Sequence, residues 1–491
     1  MHAWLRRKSI QHALDDTTHD GGLHRTLTAV DLTALGIGAI IGAGLFSSIA
    51  DMVVGTDTML GAGPAVVLSY VLTAMACGFA ALCYAEIAAM VPVAGSAYTY
   101  AYVAFGELIA WIIGWDLIIE YAIGNVYVAA KWASYFQTFL EGMFNVRVPL
   151  WLSTDLQTAR AMVATDPSLA GQFPHVAGSP VAVHALAGAI VLALTVLLHI
   201  GVRESARANG VMVLLKLALI AAFLGIGAFH VDPANWTPFA PNGFGGIWQG
   251  AALGFFSYIG FDAVSTAAEE TRDPQRDIPR GMVASLVIST ILYILVAIVL
   301  VGMVPVAELA NVDDPLAAAF TRVGLTGVST AFAFGAVIAM TAVLLVFQLG
   351  QTRIFHVMAR DGLLPPFFSR VHPRWRTPWV STWITGLAVA AGCTLMTPDQ
   401  AIGLCNIGTL FAFLLVSLGV IALRVREPER HRPFLVPGYP YTPLLAAASC
   451  LGLIIGLEAS NWLRLVGWLA IGLVVYATYG SRRSALARAT G

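Results

Sequence analysis

Charge is scarce in this sequence. Only 11% of its 491 residues are Asp, Glu, Lys or Arg, against 58% that are hydrophobic; soluble domains carry about 25% charged residues. That balance excludes a soluble domain. The net charge of −1 says nothing about partners, and no basic patch points to nucleic acid. Cysteine is sparse as well. Cys77, Cys83, Cys393, Cys405 and Cys450 all fall inside apolar runs without a ligand-like cluster around them, so they read as small packing residues, and neither a disulfide framework nor a metal site is expected. A nucleophile–base set, a phosphate-binding loop and a ring of repeated pore motifs are also lacking. Those absences disfavour an enzyme, ATP-driven transport by this chain alone, and a channel; no cofactor is expected. A cleavable signal peptide is not apparent either, because Met1–Arg25 is polar and leads into a full-length apolar segment.

What is present is length in hydrocarbon. A helix needs about 20 apolar residues to cross a bilayer. About twelve such stretches begin near residues 31, 65, 108, 181, 209, 247, 281, 328, 378, 402, 441 and 463. Arginine and lysine set the orientation. Arg6, Arg7, Lys8 and Arg25, then Arg203, Arg207, Arg272, Arg276 and Arg280, then Arg353 to Arg376, Arg424 to Arg432 and Arg482 to Arg488 all fall on one side. The other side holds Arg147, Arg160, Arg322 and Arg464. This asymmetry predicts cytoplasmic N- and C-termini in the inner (cytoplasmic) membrane.

The expected organisation is an N-terminal tail over 1–30, a core over 31–424, spans eleven and twelve over 425–480, and a cytoplasmic tail over 481–491. Spans one to five and six to ten would form two units of opposite orientation, since five is odd. The outer loop Glu141–Pro180 reads as an irregular cap, and the inner segment Arg353–Pro378 as a stretch along the headgroups. Pro92–Ser96 marks a turn, and the alternation Tyr98, Tyr100, Tyr102 behind it suits an interfacial segment.

Two spans are interrupted at corresponding positions. The first carries Gly36, Gly38, Gly42 and Gly44; the sixth carries Gly260 and Asp262 with hydroxyls around them. The glycines fit close helix packing, and they equally fit an unwound segment, which is tolerable at membrane depth only where it lines a cavity. Unwinding near Gly42–Gly44 frees N–H groups, which suit a carboxylate. Unwinding near Ser257–Gly260 frees carbonyls, which suit an ammonium group. Together they describe a receptor for an α-amino acid, and paired interruptions are a pointer to a carrier's site.

The runs Gly36-Ile-Gly-Ala-Ile-Ile-Gly-Ala-Gly-Leu-Phe46, Tyr84-Ala-Glu-Ile-Ala-Ala-Met-Val-Pro-Val-Ala-Gly-Ser-Ala-Tyr98 and Tyr258-Ile-Gly-Phe-Asp-Ala-Val-Ser-Thr-Ala-Ala-Glu-Glu270 resemble the amino acid–polyamine–organocation superfamily, most closely bacterial members of its cationic amino acid transporter branch. The resemblance implies an all-α integral membrane fold: twelve helices, a five-plus-five inverted repeat of the sodium-symporter type, two peripheral helices, and spans one and six discontinuous. It further implies that Ala43 and Gly44 offer N–H groups to the substrate carboxylate, and that Ile40, Phe256, Ser257 and Ile259 offer carbonyls to its α-ammonium. Many relatives have a hydroxyl residue where this chain has Ala43, so that side-chain bond is lost here.

Several ionisable residues lie within spans. Lys216 sits about 10 Å along a helix from Asn209, and reads either as a snorkelling residue or as an amine that gains and loses a proton during a cycle. The resemblance places a lysine here where sodium-coupled cousins bind an ion. Asp116, Glu120, Tyr127 and Lys131 follow at spacings that put all four on one helical face. Glu120 is a candidate for selecting cationic side chains or for proton release, or belongs to a structural pair. Asp262 is a second proton-coupling candidate. Glu86, Glu269, Glu270 and Asp273 fit a solvated face or an inner gate with Arg203 or Arg276. The sequence therefore points to a secondary carrier of L-amino acids, cationic ones included, driven by protons, with an exchanger of amino acids or amines as the alternative. Its partners are substrate, protons and lipid.

Overall fold

The computed structural model describes residues 6–8, 10, 26–93, 95–176, 178–201, 206–310 and 312–490. The fold is built almost wholly of helices. In chain order, leaving out the short turns Leu150–Ser153 and Ser481–Arg483, the α-helices are α1 (Ala29–Ile40), α2 (Ala43–Phe46), α3 (Ser48–Val54), α4 (Val66–Met90), α5 (Ser96–Ala104), α6 (Glu107–Ile118), α7 (Gly124–Phe144), α8 (Leu156–Thr165), α9 (Ala185–Ile200), α10 (Ala206–Gly227), α11 (Gly243–Gly254), α12 (Ala263–Thr266), α13 (Pro274–Met303), α14 (Pro315–Arg322), α15 (Thr326–Arg360), α16 (Trp379–Leu395), α17 (Pro398–Arg426), α18 (Tyr441–Gly456), α19 (Ala459–Val475) and α20 (Ala485–Thr490). Among the described residues, seven helical segments are long and apolar enough to cross a membrane, and four shorter apolar helices (α1, α9, α16, α18) accompany them. Leu, Val and Ile dominate these segments, and a helix satisfies every backbone polar group without water.

Local signals set the helix ends. Thr28 opens α1 with a capping box: its hydroxyl accepts from the Asp31 N–H at 3.4 Å, while the Asp31 carboxylate accepts from the Thr28 N–H at 2.9 Å. Thr397 caps α17, with Pro398 in the first turn, where a missing N–H costs nothing.

Several regions differ from the sequence expectations. The outer loop is not irregular throughout: it contains α8 and a two-residue antiparallel pairing of His175–Val176 with Ser179–Pro180. Asp155 organises it by accepting from the Gln157 and Thr158 N–H groups. At the inner segment, α15 runs on to Arg360, so Arg353 and Arg360 lie on a helix, and only the remainder is irregular. Tyr98, Tyr100 and Tyr102 are not interfacial. They lie on the fully buried α5, each under 3% exposed, because every face of that short helix is packed. Glu86 pairs with neither Arg276 nor a solvated face: Arg424 grips it with two guanidinium nitrogens, Nε at 2.8 Å, and Arg432 Nε stands 3.5 Å away. The expectations for Arg203 and for the Glu269 side chain lie outside what is described.

Between α6 and α7 the helix forms a π turn over Ile119–Ile123. A π turn spends one extra residue, so side chains beyond it are rotated by roughly 100° relative to an unbroken helix. That rotation undoes the expected common face. Asp116 turns toward Gly408 and Glu120 toward Thr409, both on α17, whereas Tyr127 and Lys131 reach Asp51 and Asp313.

Candidate substrate site

The first interrupted span leaves the helix at Ile41 and Gly42, both extended, and resumes at Ala43. The first hydrogen bonds of the resumed half run from Leu45 and Phe46 N–H to the Gly42 carbonyl (3.0 and 3.1 Å). The N–H groups of Ala43 and Gly44 thus sit at a helix start, where no intrahelical carbonyl precedes them. The sixth span tightens into a 3₁₀ turn over Phe255–Tyr258, becomes extended at Ile259, and turns at Gly260 with φ +118°, a conformation that favours glycine. Helix returns at Ala263.

The two breaks cross with their backbones in contact. A Cβ on Gly44 would lie 2.4 Å from Ser257 Cα, and one on Gly260 would lie 2.9 Å from the Ala39 carbonyl carbon. The Gly44 carbonyl accepts from Ser48 Oγ (2.5 Å) and Ser257 Oγ (2.9 Å). From α13, the Tyr293 hydroxyl stands 3.0 Å from the Ile40 carbonyl and 2.7 Å from the Ser257 carbonyl, bridging the two segments. Each carbonyl keeps a second lone pair for another donor. Tyr293 was missed from sequence. The signal was a tyrosine hydroxyl followed by an unbroken apolar run to Val301, which must find an acceptor in its own neighbourhood. Asn406 of α17 holds the sixth span from behind, donating to the Ala252 and Leu253 carbonyls at 3.0 and 3.1 Å. The Phe256 ring meets Tyr127 edge-on at 4.8 Å, and its carbonyl accepts from Ile259 N–H.

Lys216 is fully buried on α10 and does not snorkel. Its Nζ donates to the Gly38 carbonyl of α1 at 2.6 Å, joining the fifth and first spans just before the break. Asp116, Glu120 and Asp262 are equally buried and lie apart from that amine. Tyr121 O–H approaches Asp262 Oδ2 at 3.5 Å, and Cys405 Sγ contacts the Glu120 carbonyl at 3.5 Å. Both Asp116 oxygens, Glu120 Oε1 and Asp262 Oδ1 have no hydrogen-bond partner among the described residues. Ile40, Ala43, Gly44, Phe256, Ser257 and Ile259 are thus brought together at the crossing. Lys216 reaches α1 just before the break, while Glu120 and Asp262 form a separate acidic neighbourhood.

Ion pairs flank the site on both sides. On one side, Lys131 binds Asp313 at 2.5 Å, and its ammonium holds the Asp313 carboxyl below the usual carboxylate range. On the other side, Lys8 binds Asp361 at 3.2 Å, and Tyr98 donates to the same carboxylate at 2.8 Å.

Residues 27–478 match the family model described as amino acid permease. The chain is 44% identical over 482 residues to the branched-chain amino acid permease BcaP of Bacillus subtilis, covering 98% of each. It is 42% identical to the methylthioribose transporter of the same organism, over 98% of this chain and 99% of that one. It is 36% identical to the vacuolar cationic amino acid transporter 4 of Arabidopsis thaliana, over 87% of this chain and 68% of that one. These relatives are permeases and transporters rather than enzymes, and the apolar helices make this a multi-pass membrane protein. The chain belongs to the amino acid permease family of the amino acid–polyamine–organocation superfamily.

Proposed function

We propose that this chain carries L-amino acids across the cytoplasmic membrane by proton symport with alternating access. The observation that carries the reading is the crossing of two broken segments. One presents N–H groups at Ala43 and Gly44 to a carboxylate; the other, with Ile40, presents the carbonyls of Phe256, Ser257 and Ile259 to an α-ammonium. Recognition of the shared amino and carboxyl groups by backbone leaves the side chain to the surrounding helices, with Glu120 favouring cationic ones. The architecture in this reading is twelve crossings, with residues 31–424 as two inverted five-helix units, 425–480 as two peripheral helices, and both tails in the cytoplasm. Lys216 and Asp262 take up and release the coupling proton. The flanking pairs Lys131–Asp313 and Lys8–Asp361 open in turn.

The relatives' names support amino acids as the substrate class and widen the panel worth testing, because one of them is a methylthioribose transporter. Purified protein in proteoliposomes should take up labelled L-amino acids, and an inward proton gradient should increase accumulation. Uptake that needs an amino acid inside, and ignores the gradient, would replace symport by exchange. Uptake of methylthioribose alone would overturn the amino acid reading.

A further inference from the structure

Two buried carboxylates at the Lys8 end of the molecule are each held by both ends of the chain. Glu107, at the start of α6, is fully buried and accepts from Ser484 Oγ at 2.5 Å, Tyr476 O–H at 3.0 Å and Tyr102 O–H at 3.2 Å. Its own N–H donates to the Arg6 carbonyl at 2.8 Å. Asp361, at the end of α15, takes Lys8 Nζ and Tyr98 O–H on its side chain, while its backbone carbonyl accepts from Ala485 N–H at 2.9 Å. The N-terminal stretch Arg6–Lys8 and the C-terminal stretch Ser481–Ala485 therefore lie across the same two anchors. Between those anchors sits α5, which carries Tyr98 and Tyr102 and meets α12 of the broken sixth span where Ser265 Oγ faces Ser96 Oγ at 3.3 Å.

We propose that Ser481–Ala485 form a strap which, with Arg6–Lys8, ties α6, α5 and α15 together, and that its release permits opening of the substrate site to the cytoplasm. This rests on the alternating-access reading above. Geometry supports it in two ways. The strap holds the same two residues that hold Arg6–Lys8, the stretch that leads into the broken first span, so lifting it loosens the hold of α6 and α15 on that span. Its key groups, Ser484 and Glu107, are fully buried, so moving the strap exposes a carboxylate whose hydroxyl donors belong partly to the strap itself. A negative charge at Ser484 would stand against Glu107 and drive the strap off. Chemical modification of that hydroxyl is then a means of regulation, open only to molecules in which the strap has already lifted.

The test uses the full chain with Ser265→Cys, reconstituted, and a membrane-impermeant thiol reagent applied from the cytoplasmic side. The background from the five native cysteines, all buried, is subtracted. Ser484→Glu should raise the labelling rate by about tenfold, the shift expected when a hydrogen bond to a carboxylate becomes repulsion. Ser484→Ala should raise it less, and Lys8→Gln should raise it independently. Equal labelling in the parent, Ser484→Glu and Ser484→Ala overturns the strap; should Ser484→Glu fail to fold, Ser484→Ala decides alone. Labelling reports the strap without any transport, whereas uptake by the parent reports the transport reading, so the two fail separately.

Discussion

Replacing Gly44 by alanine sets one methyl group against the Ser257 backbone. The new carbon would lie 2.4 Å from Ser257 Cα and 3.0 Å from its nitrogen. Carbon atoms settle at about 3.5–4.0 Å, so the two segments must part by roughly 1 Å. Overpacking of this kind costs about 1–3 kcal/mol. The movement falls on the crossing itself, stretching the hydrogen bonds from Ser48 and Ser257 to the Gly44 carbonyl. If that crossing is the substrate site, 1.4 kcal/mol is about tenfold in affinity, and Gly44→Ala should weaken amino acid binding by roughly 10- to 100-fold. Gly78→Ala is the control. It lies within α4, where the nearest atom to an added Cβ is Leu286 Cδ2 at 4.0 Å, so binding should be unchanged. Equilibrium binding of labelled L-amino acids to purified, monodisperse protein reads both variants. Affinity within about twofold of the parent for Gly44→Ala would remove the crossing as the place where substrate binds.

Lys216→Met keeps the volume and removes the amine that holds the Gly38 carbonyl. A one-to-one symporter gains about tenfold accumulation per pH unit, and this variant should lose that gain in proteoliposomes; an undiminished response would transfer coupling to Glu120 or Asp262. Glu120→Gln should reduce arginine or lysine uptake more than alanine uptake, since a negative group in low dielectric favours cationic side chains. Equal loss would make Glu120 structural or proton-handling. The Lys131–Asp313 pair gives a pH dependence. The Asp313 carboxyl is held below its usual range by the ammonium beside it, so its contribution is present above the unfolded carboxylate value and is lost as pH falls through the folded one. The melting temperatures of the parent and Asp313→Asn should therefore converge in acid; a constant gap between them would refute the assignment.

The breaks were legible because glycine carries its own reason. Gly260 needs a positive φ, and Gly44 needs the absence of a side chain; both needs are written in the residue type. Lys216 was legible because an amine in an apolar run must have a purpose or a partner. Other features were hidden because they depend on distant neighbours. Nothing in Ile119–Ile123 announces a π turn, which exists only when other helices pack against it, and the face predicted from spacing failed there. The tyrosines of α5 looked interfacial because alternation is a local pattern, whereas Asp361 and Glu107, the actual partners of Tyr98 and Tyr102, come from the end of α15 and from α6. Likewise Glu86 waits for Arg424, which lies 338 positions further along the chain.

The glycines of the first span also divide by what opposes them, and this has a genetic consequence. A Cβ on Gly42 would meet the Val343 side chain at 2.6 Å, and one on Gly36 would meet Ser285 Oγ at 2.4 Å, whereas Gly44 faces main chain. A methyl added at Gly42 can be accommodated by trimming its neighbour, because Val343→Ala removes the offending carbon and leaves Val343 Cβ at 3.4 Å. A selection for restored growth on the transported amino acid should therefore recover second-site revertants of Gly42→Ala at Val343. For Gly44→Ala no change of side chain at Ser257 moves the opposing atom, so reversion should return glycine itself at that codon.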